Sequence, residues 1–150
     1  MLRSLDLPPV YMLLSGLVMY GLDRWVPVWT LPSQDTLRMA GVWVAVAGLV
    51  PAILAAVRMF RARTTVHPHH QPSALVTDGI FALSRNPIYV TDVLLLAGWA
   101  LWLGSLSAWL GLPLFVTVVT RRAIRPEEAR LAATFGRAYD DYRARVRRWL

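Results

Sequence analysis

The chain has 150 residues, 56% hydrophobic and 17% charged, with a mean hydropathy of +0.44. Soluble domains average about 45–50% apolar and about 25% charged residues, so intrinsic disorder, a nucleic-acid module and an ordinary water-soluble enzyme are excluded. All 16 basic residues are arginine and cysteine is absent, which removes disulfide, thiolate and lysine chemistry; the net charge of +7 falls beside apolar runs, as on a membrane protein facing anionic lipid.

An uncharged run from Leu7 to Leu22 leads to Asp23-Arg24 and then Trp25-Val26-Pro27-Val28-Trp29, whose tryptophans suit a headgroup belt. A first span over 8–28 is expected. Arg3 followed by Asp6, with no small-residue cleavage site, argues against a signal peptide. A second span is expected over 39–58, with Pro51 as a kink that neighbouring helices absorb and Arg58, Arg61 and Arg63 as its stop. After a loop over 64–87, an apolar block from Ile88 to Thr120 is interrupted only by Asp92. Gly104-Ser105-Leu106-Ser107 predicts a tight turn in it, giving a helical hairpin with spans over 88–103 and 106–121. The expectation is therefore all-α: one integral-membrane domain over 1–150 with four transmembrane helices.

Arginines crowd the 58–87 segment and the residues after 120, which places these segments and both termini in the cytoplasm. The lysine-free, arginine- and alanine-rich composition suggests a bacterial inner membrane. In the tail, Pro126 fits a first helical position, and Glu127 and Glu128 fit the first turn. Leu131, Phe135, Tyr139, Tyr142, Val146 and Trp149 recur at helical spacing. They predict one amphipathic cytoplasmic helix over 126–149, lying on the membrane or across the mouth of the bundle.

A transporter needs polar groups near the membrane midplane, and the span middles here are bare. The polar residues collect at the cytoplasmic rim instead. Asn86 and Pro87 read as an N-cap and first helical residue; the exposed N–H groups of such a terminus, with Arg85 beside them, suit an anion. Glu127 and Glu128 are either dipole-favoured acids or a grip for an ammonium or sulfonium group. Together the two ends suit a zwitterionic amino acid with a bulky tail. Asp92 is either a functional intramembrane acid or the partner of a nearby arginine. His67, His69 and His70 read as a solvated loop, and no metal site is expected.

The stretch Pro72-Ser73-Ala74-Leu75-Val76-Thr77-Asp78-Gly79-Ile80-Phe81-Ala82-Leu83-Ser84-Arg85-Asn86-Pro87-Ile88-Tyr89 resembles the cofactor segment of the isoprenylcysteine carboxyl methyltransferases, a family related to the phospholipid methyltransferases. The helical hairpin, Glu127-Glu128 and Phe135-Gly136-Arg137-Ala138-Tyr139-Asp140-Asp141-Tyr142 continue the resemblance, in order, over 64–149. It implies S-adenosylmethionine as cofactor at the membrane–cytosol boundary, and methylation of a lipophilic or lipid-attached carboxylate or thiol. Ser73, Ala74, Leu75, Val76, Gly79 and Phe81 would then line the cofactor site. Arg85, Asn86, Pro87 and Tyr89 would sit against it, with Glu127 and Glu128 at the ammonium end. Three positions depart from the family pattern. Asn86 replaces the commoner His and supplies no base, Thr91 stands where Gly is frequent, and Ala123 replaces a substrate-contacting arginine. Substrate-side candidates are accordingly Arg121, Arg122, Arg125 and Asp92. The alternatives are a phospholipid N-methyltransferase, or a non-catalytic four-helix membrane scaffold.

Overall fold

The computed structural model describes residues 8–30, 34–62 and 74–150. Ser73, Arg63 and the three histidines lie outside the described residues. Among the described residues six α-helices follow one another: α1 (Pro8–Trp25), α2 (Gln34–Arg61), α3 (Pro87–Leu103), α4 (Gly111–Val119), α5 (Arg125–Phe135) and α6 (Arg137–Arg145). Among the described residues there is no strand, only an isolated bridge between Thr30 and Ser105. The all-α expectation holds.

Helix α2 packs chiefly against α3, while α1 lies against α4, α3 and the short 3-10 turn Ser107–Leu110. Met19, Tyr89, Leu96, Ala100, Ala108, Phe115, Val119 and Ile124 form the core between α1, α3 and α4. The α2–α3 seam is built from small residues. A Cβ on Gly41 would stand 2.5 Å from the Gly98 carbonyl oxygen, and one on Gly98 would stand 2.6 Å from that of Gly41. Close backbone approach at small residues is how helices associate where no water is present to drive them together.

Pro51 lies inside α2. A proline there lacks its N–H and crowds the preceding turn. One residue on, the Ala52 N–H donates to Thr91 Oγ1 on α3 at 3.0 Å. The neighbouring helix thus ties down the loosened stretch, and this gives Thr91 a structural task.

Helix α2 is long and apolar enough to cross a membrane, and Asp35–Arg61 is the one such segment among the described residues. The expected span over 39–58 extends at both ends, whereas the first helix stops at Trp25, short of 28. Gly104 ends α3 at φ 83°, a left-handed conformation that suits glycine. The hairpin turn is then fastened to the end of α1: the Leu106 N–H donates to the Val28 carbonyl at 3.0 Å, and Ser107 Oγ to that of Leu22 at 3.4 Å.

The tail departs most from expectation. No new helix starts at Pro126; the chain enters α5 from α4 through a π turn over Thr120–Ile124. The Arg125 N–H donates to the Thr120 carbonyl, five residues back. Pro126 follows, and the wider turn accommodates a residue that has no N–H to donate. Nor is 126–149 one helix. Gly136, at φ 52° and ψ −125°, breaks it into α5 and α6, and α6 ends at Val146, whose backbone is extended. The expected apolar face is real, but it turns inward: Tyr139 and Tyr142 are buried, and Trp149 packs against the core.

Candidate functional site

Two chain-distant segments meet at the N-terminal end of α3. Gly79–Ala82 forms a 3-10 turn beside the C-terminal part of α2. Gly79 adopts φ 59°, a left-handed conformation that favours glycine, and the mobile end of the Arg58 side chain lies over it. Arg58 Nη1 pairs with Asp78 Oδ2 at 2.8 Å, an exposed bridge. Gly79 therefore meets α2, while Phe81 faces the tail: Tyr142 Oη donates to the Phe81 carbonyl at 2.7 Å. Burial pushes the Tyr142 phenol up to about 12, so it stays a donor. Ala74, Leu75 and Val76 are half-buried ahead of this turn.

Asn86 stands at the N-cap of α3, with Pro87 at the first helical position and fully buried. Its side chain does not cap, however. Asn86 Nδ2 donates to the Arg148 carbonyl at 2.9 Å, and Ser84 Oγ to the same oxygen at 3.4 Å. The Arg85 N–H donates to the Arg147 carbonyl at 3.0 Å. The non-helical segment 146–149 is therefore strapped along residues 84–86.

The arginine of the strap reaches further. Arg148 Nε and Nη2 donate to Glu128 Oε1 and Oε2 at 2.9 and 2.7 Å, a two-pronged pair. Arg85 Nη1 approaches Glu128 Oε1 at 3.2 Å and donates to Tyr139 Oη at 3.3 Å. The side chains of Arg85 and Glu128 are only 12% and 17% exposed, and Arg85 Nε is buried without a hydrogen-bond partner among the described residues. The two groups expected at opposite ends of a zwitterion site thus contact each other. Glu127 differs from its neighbour: it forms no ion pair among the described residues. Burial raises its carboxyl above the ordinary range, with Arg130 pulling it down and Glu128 adding to the rise. The Tyr89 phenol lies within electrostatic reach of Glu127 and Arg130 on α5, Asp92 one turn along α3, and Tyr11 on α1.

Asp92 pairs with no arginine among the described residues. Arg121, Arg122 and Arg125 are exposed, while Ala123 packs on the core. Ser84, Tyr139 and Arg148 are the participants that the residue pattern did not single out. Tyr139 was visible as part of a motif; Arg148 is one of many arginines in the tail, with nothing local to distinguish it.

The phospholipid methyltransferase family matches residues 37–138, more than half of the chain. The chain belongs to that family. The stretch matched to the phospholipid methyltransferases runs from the first turn of α2 to the start of α6, takes in Arg85, Asn86, Tyr89, Glu127 and Glu128, and stops short of the strap. Among curated relatives, an uncharacterized protein of Haemophilus influenzae is 43% identical over 63 residues, which are 42% of this chain and all of that one. A cobalt-zinc-cadmium resistance protein of Cupriavidus metallidurans is 30% identical over 118 residues, 79% of this chain and 50% of its own length. A protein-S-isoprenylcysteine O-methyltransferase of Schizosaccharomyces pombe is 38% identical over 72 residues, 48% of this chain and 30% of its own. The chain thus spans all of the first relative but half or less of the other two. No solved structure matches it.

Proposed function

We propose that this chain transfers a methyl group from S-adenosylmethionine to a lipophilic or lipid-attached acceptor at the membrane–cytosol boundary. The observation that carries the reading is the meeting of Arg85 and the α3 N-terminus with the Glu127–Glu128 pair of α5 at one end of the bundle. Family membership supports the reaction class. The membrane is supported by α2, whose surface exposes Met39, Trp43, Val50, Ile53 and Phe60; a span takes about 20 apolar residues, down to about 17 when short. On this reading α1, α2, α3, and α4 together with the 3-10 turn Ser107–Leu110 before it and the π turn after it, are four spans of a bacterial inner-membrane protein, with 58–87, the tail and both termini cytoplasmic. Reporter fusions after Arg63 and after Leu150 should both read as cytoplasmic; a periplasmic signal at either overturns this orientation.

The residues fit the cofactor's charges. An under-partnered, nearly buried guanidinium beside a helix N-terminus suits a carboxylate, and a half-buried glutamate without an ion pair among the described residues suits an ammonium group. Bound there, S-adenosylmethionine supplies an electrophilic methyl group on a good leaving group. The protein has to align the acceptor and exclude water. Buried Pro87 and Tyr89 wall the site, and Glu127 and Arg85 orient the amino-acid moiety. Asn86 has no titratable ring, and a carboxylate or thiolate acceptor needs no base. The family's description names phospholipids, and a second acceptor is accordingly the amine of a phospholipid headgroup; Asp92, without an ion pair among the described residues, would then take the proton that the amine loses.

Labelled S-adenosylmethionine with a lipid extract tests both readings. Base-labile label marks a carboxyl ester; base-stable label on a cationic lipid marks a methylamine, and on an uncharged one a methyl thioether; no transfer to any lipid fraction overturns the proposal. On the cofactor side, Glu127→Gln should weaken S-adenosylhomocysteine binding about ten- to a hundredfold, the worth of one hydrogen bond to a charged group. Affinity should also fall as pH drops, starting above the usual glutamate range because Glu127 is raised, and Glu127→Gln should remove that slope. Calorimetric titration in detergent reads both, and unchanged affinity removes Glu127 from the site.

A further inference from the structure

The three charges around Glu128 do not cancel. Arg85, Arg148 and Glu128 sum to one surplus positive charge, and the geometry shows how it is shared. Arg148 engages both carboxylate oxygens at 2.9 and 2.7 Å, whereas Arg85 meets one of them at 3.2 Å and leaves its buried Nε unsatisfied. Two-pronged arginine–carboxylate pairs are the stronger and better defined of such contacts. Arg148 is also pinned in place, because its carbonyl accepts from Asn86 Nδ2 and Ser84 Oγ.

We propose that Arg148 is a positioning residue: by holding Glu128 in a two-pronged pair, it keeps the charge of Arg85 available for the carboxylate of an amino-acid ligand. This rests on the cofactor reading above and assigns the adjacent glutamates different tasks. Glu128 is committed to the protein, and Glu127 is left for the cation. Without Arg148, Glu128 would turn to Arg85 as its sole ion-pair partner, one charge against one, and the anion site would be neutralised.

The experiment compares two ligands of the purified chain in detergent. S-adenosylhomocysteine carries the amino-acid carboxylate; methylthioadenosine has the same nucleoside and thioether but lacks it. Arg148→Gln should weaken S-adenosylhomocysteine about tenfold or more, as for losing a charged hydrogen-bond partner, and leave methylthioadenosine unchanged. Arg148→Lys, which keeps the charge, should lose less. The double variant Arg148→Gln with Glu128→Gln should regain most of the lost affinity, because Arg85 is again uncompensated. Equal loss of both ligands in Arg148→Gln would make Arg148 a mere brace and overturn the proposal, as would unchanged S-adenosylhomocysteine affinity or a double variant as weak as the single. If the wild-type chain binds neither ligand, it is the cofactor reading that fails.

Discussion

Along the seam between α2 and α3, two backbones touch at Gly41 and Gly98 with small side chains on either side, while around Glu128 long charged side chains from three segments converge through guanidinium and carboxylate groups. Both regions are closely fitted, yet by different physics. The seam depends on shape and should be indifferent to pH and protonation. The cluster depends on charge, and its partners lie far apart in the chain, so it is set only after the helices have packed. A scaffold insensitive to ionic conditions therefore carries a site that responds to them.

The strongest way to break the seam is bulk. Gly98→Leu puts its Cβ into the Gly41 carbonyl region, and overpacking of this kind costs up to about 3 kcal/mol; thermal unfolding in detergent should show the loss at every pH. A milder cut is Thr91→Val, which removes the acceptor of the Ala52 N–H and should cost about 1–2 kcal/mol. In a Pro51→Ala background the helix supplies its own bonds, so the same change should cost less. If the penalty is undiminished there, Thr91 is not compensating for the proline. On the cluster side, Tyr142→Phe loses the bond to Phe81, worth about 0.5–1.5 kcal/mol, and should speed trypsin cleavage at Arg145 and Arg147, whose side chains are already exposed, by loosening the backbone around them.

The smallest stability effect is expected from Glu127→Gln, and its sign sharpens the contrast. Burial raises the folded-state carboxyl, so the ionised form costs the folded state at neutral pH, whereas below the ordinary glutamate range both states are protonated and nothing is lost. The variant should thus melt slightly higher than wild type at neutral pH and equally at low pH. A lower melting temperature at neutral pH would mean that Glu127 has a stabilising partner.

What could be read from the residues follows the same division. Hydrophobic runs located α1, α2 and α3, and of the run expected as one helix over 106–121 only Gly111–Val119 is α-helical; Gly104 located the hairpin turn, because apolar run length and left-handed backbone are local properties. The Arg85–Glu128–Arg148 cluster was hidden because pairing over such separations leaves no periodic trace. Asn86 shows the difference within one residue: its N-cap place was legible from Asn-Pro, but its side-chain partner lies on the strap. Gly136 was ambiguous, since a glycine inside a helix costs only about 1 kcal/mol relative to alanine and is often tolerated. Pro126 held a real signal that admits two outcomes, a fresh helix start or a distorted turn inside a continuing one.

The π turn at Thr120–Ile124 has a consequence for how this chain tolerates changes in length. Such a turn is one residue wound into an otherwise ordinary helix, and each residue advances an α-helix by about 100° (3.6 per turn). Everything downstream is therefore out of phase with α4 by that angle, including the face that presents Glu127 and Glu128. Deleting a single residue from this stretch would leave each flanking helix able to form, yet would swing both glutamates around the axis, away from Arg85 and Tyr89. A one-residue insertion in the same place would swing them the other way.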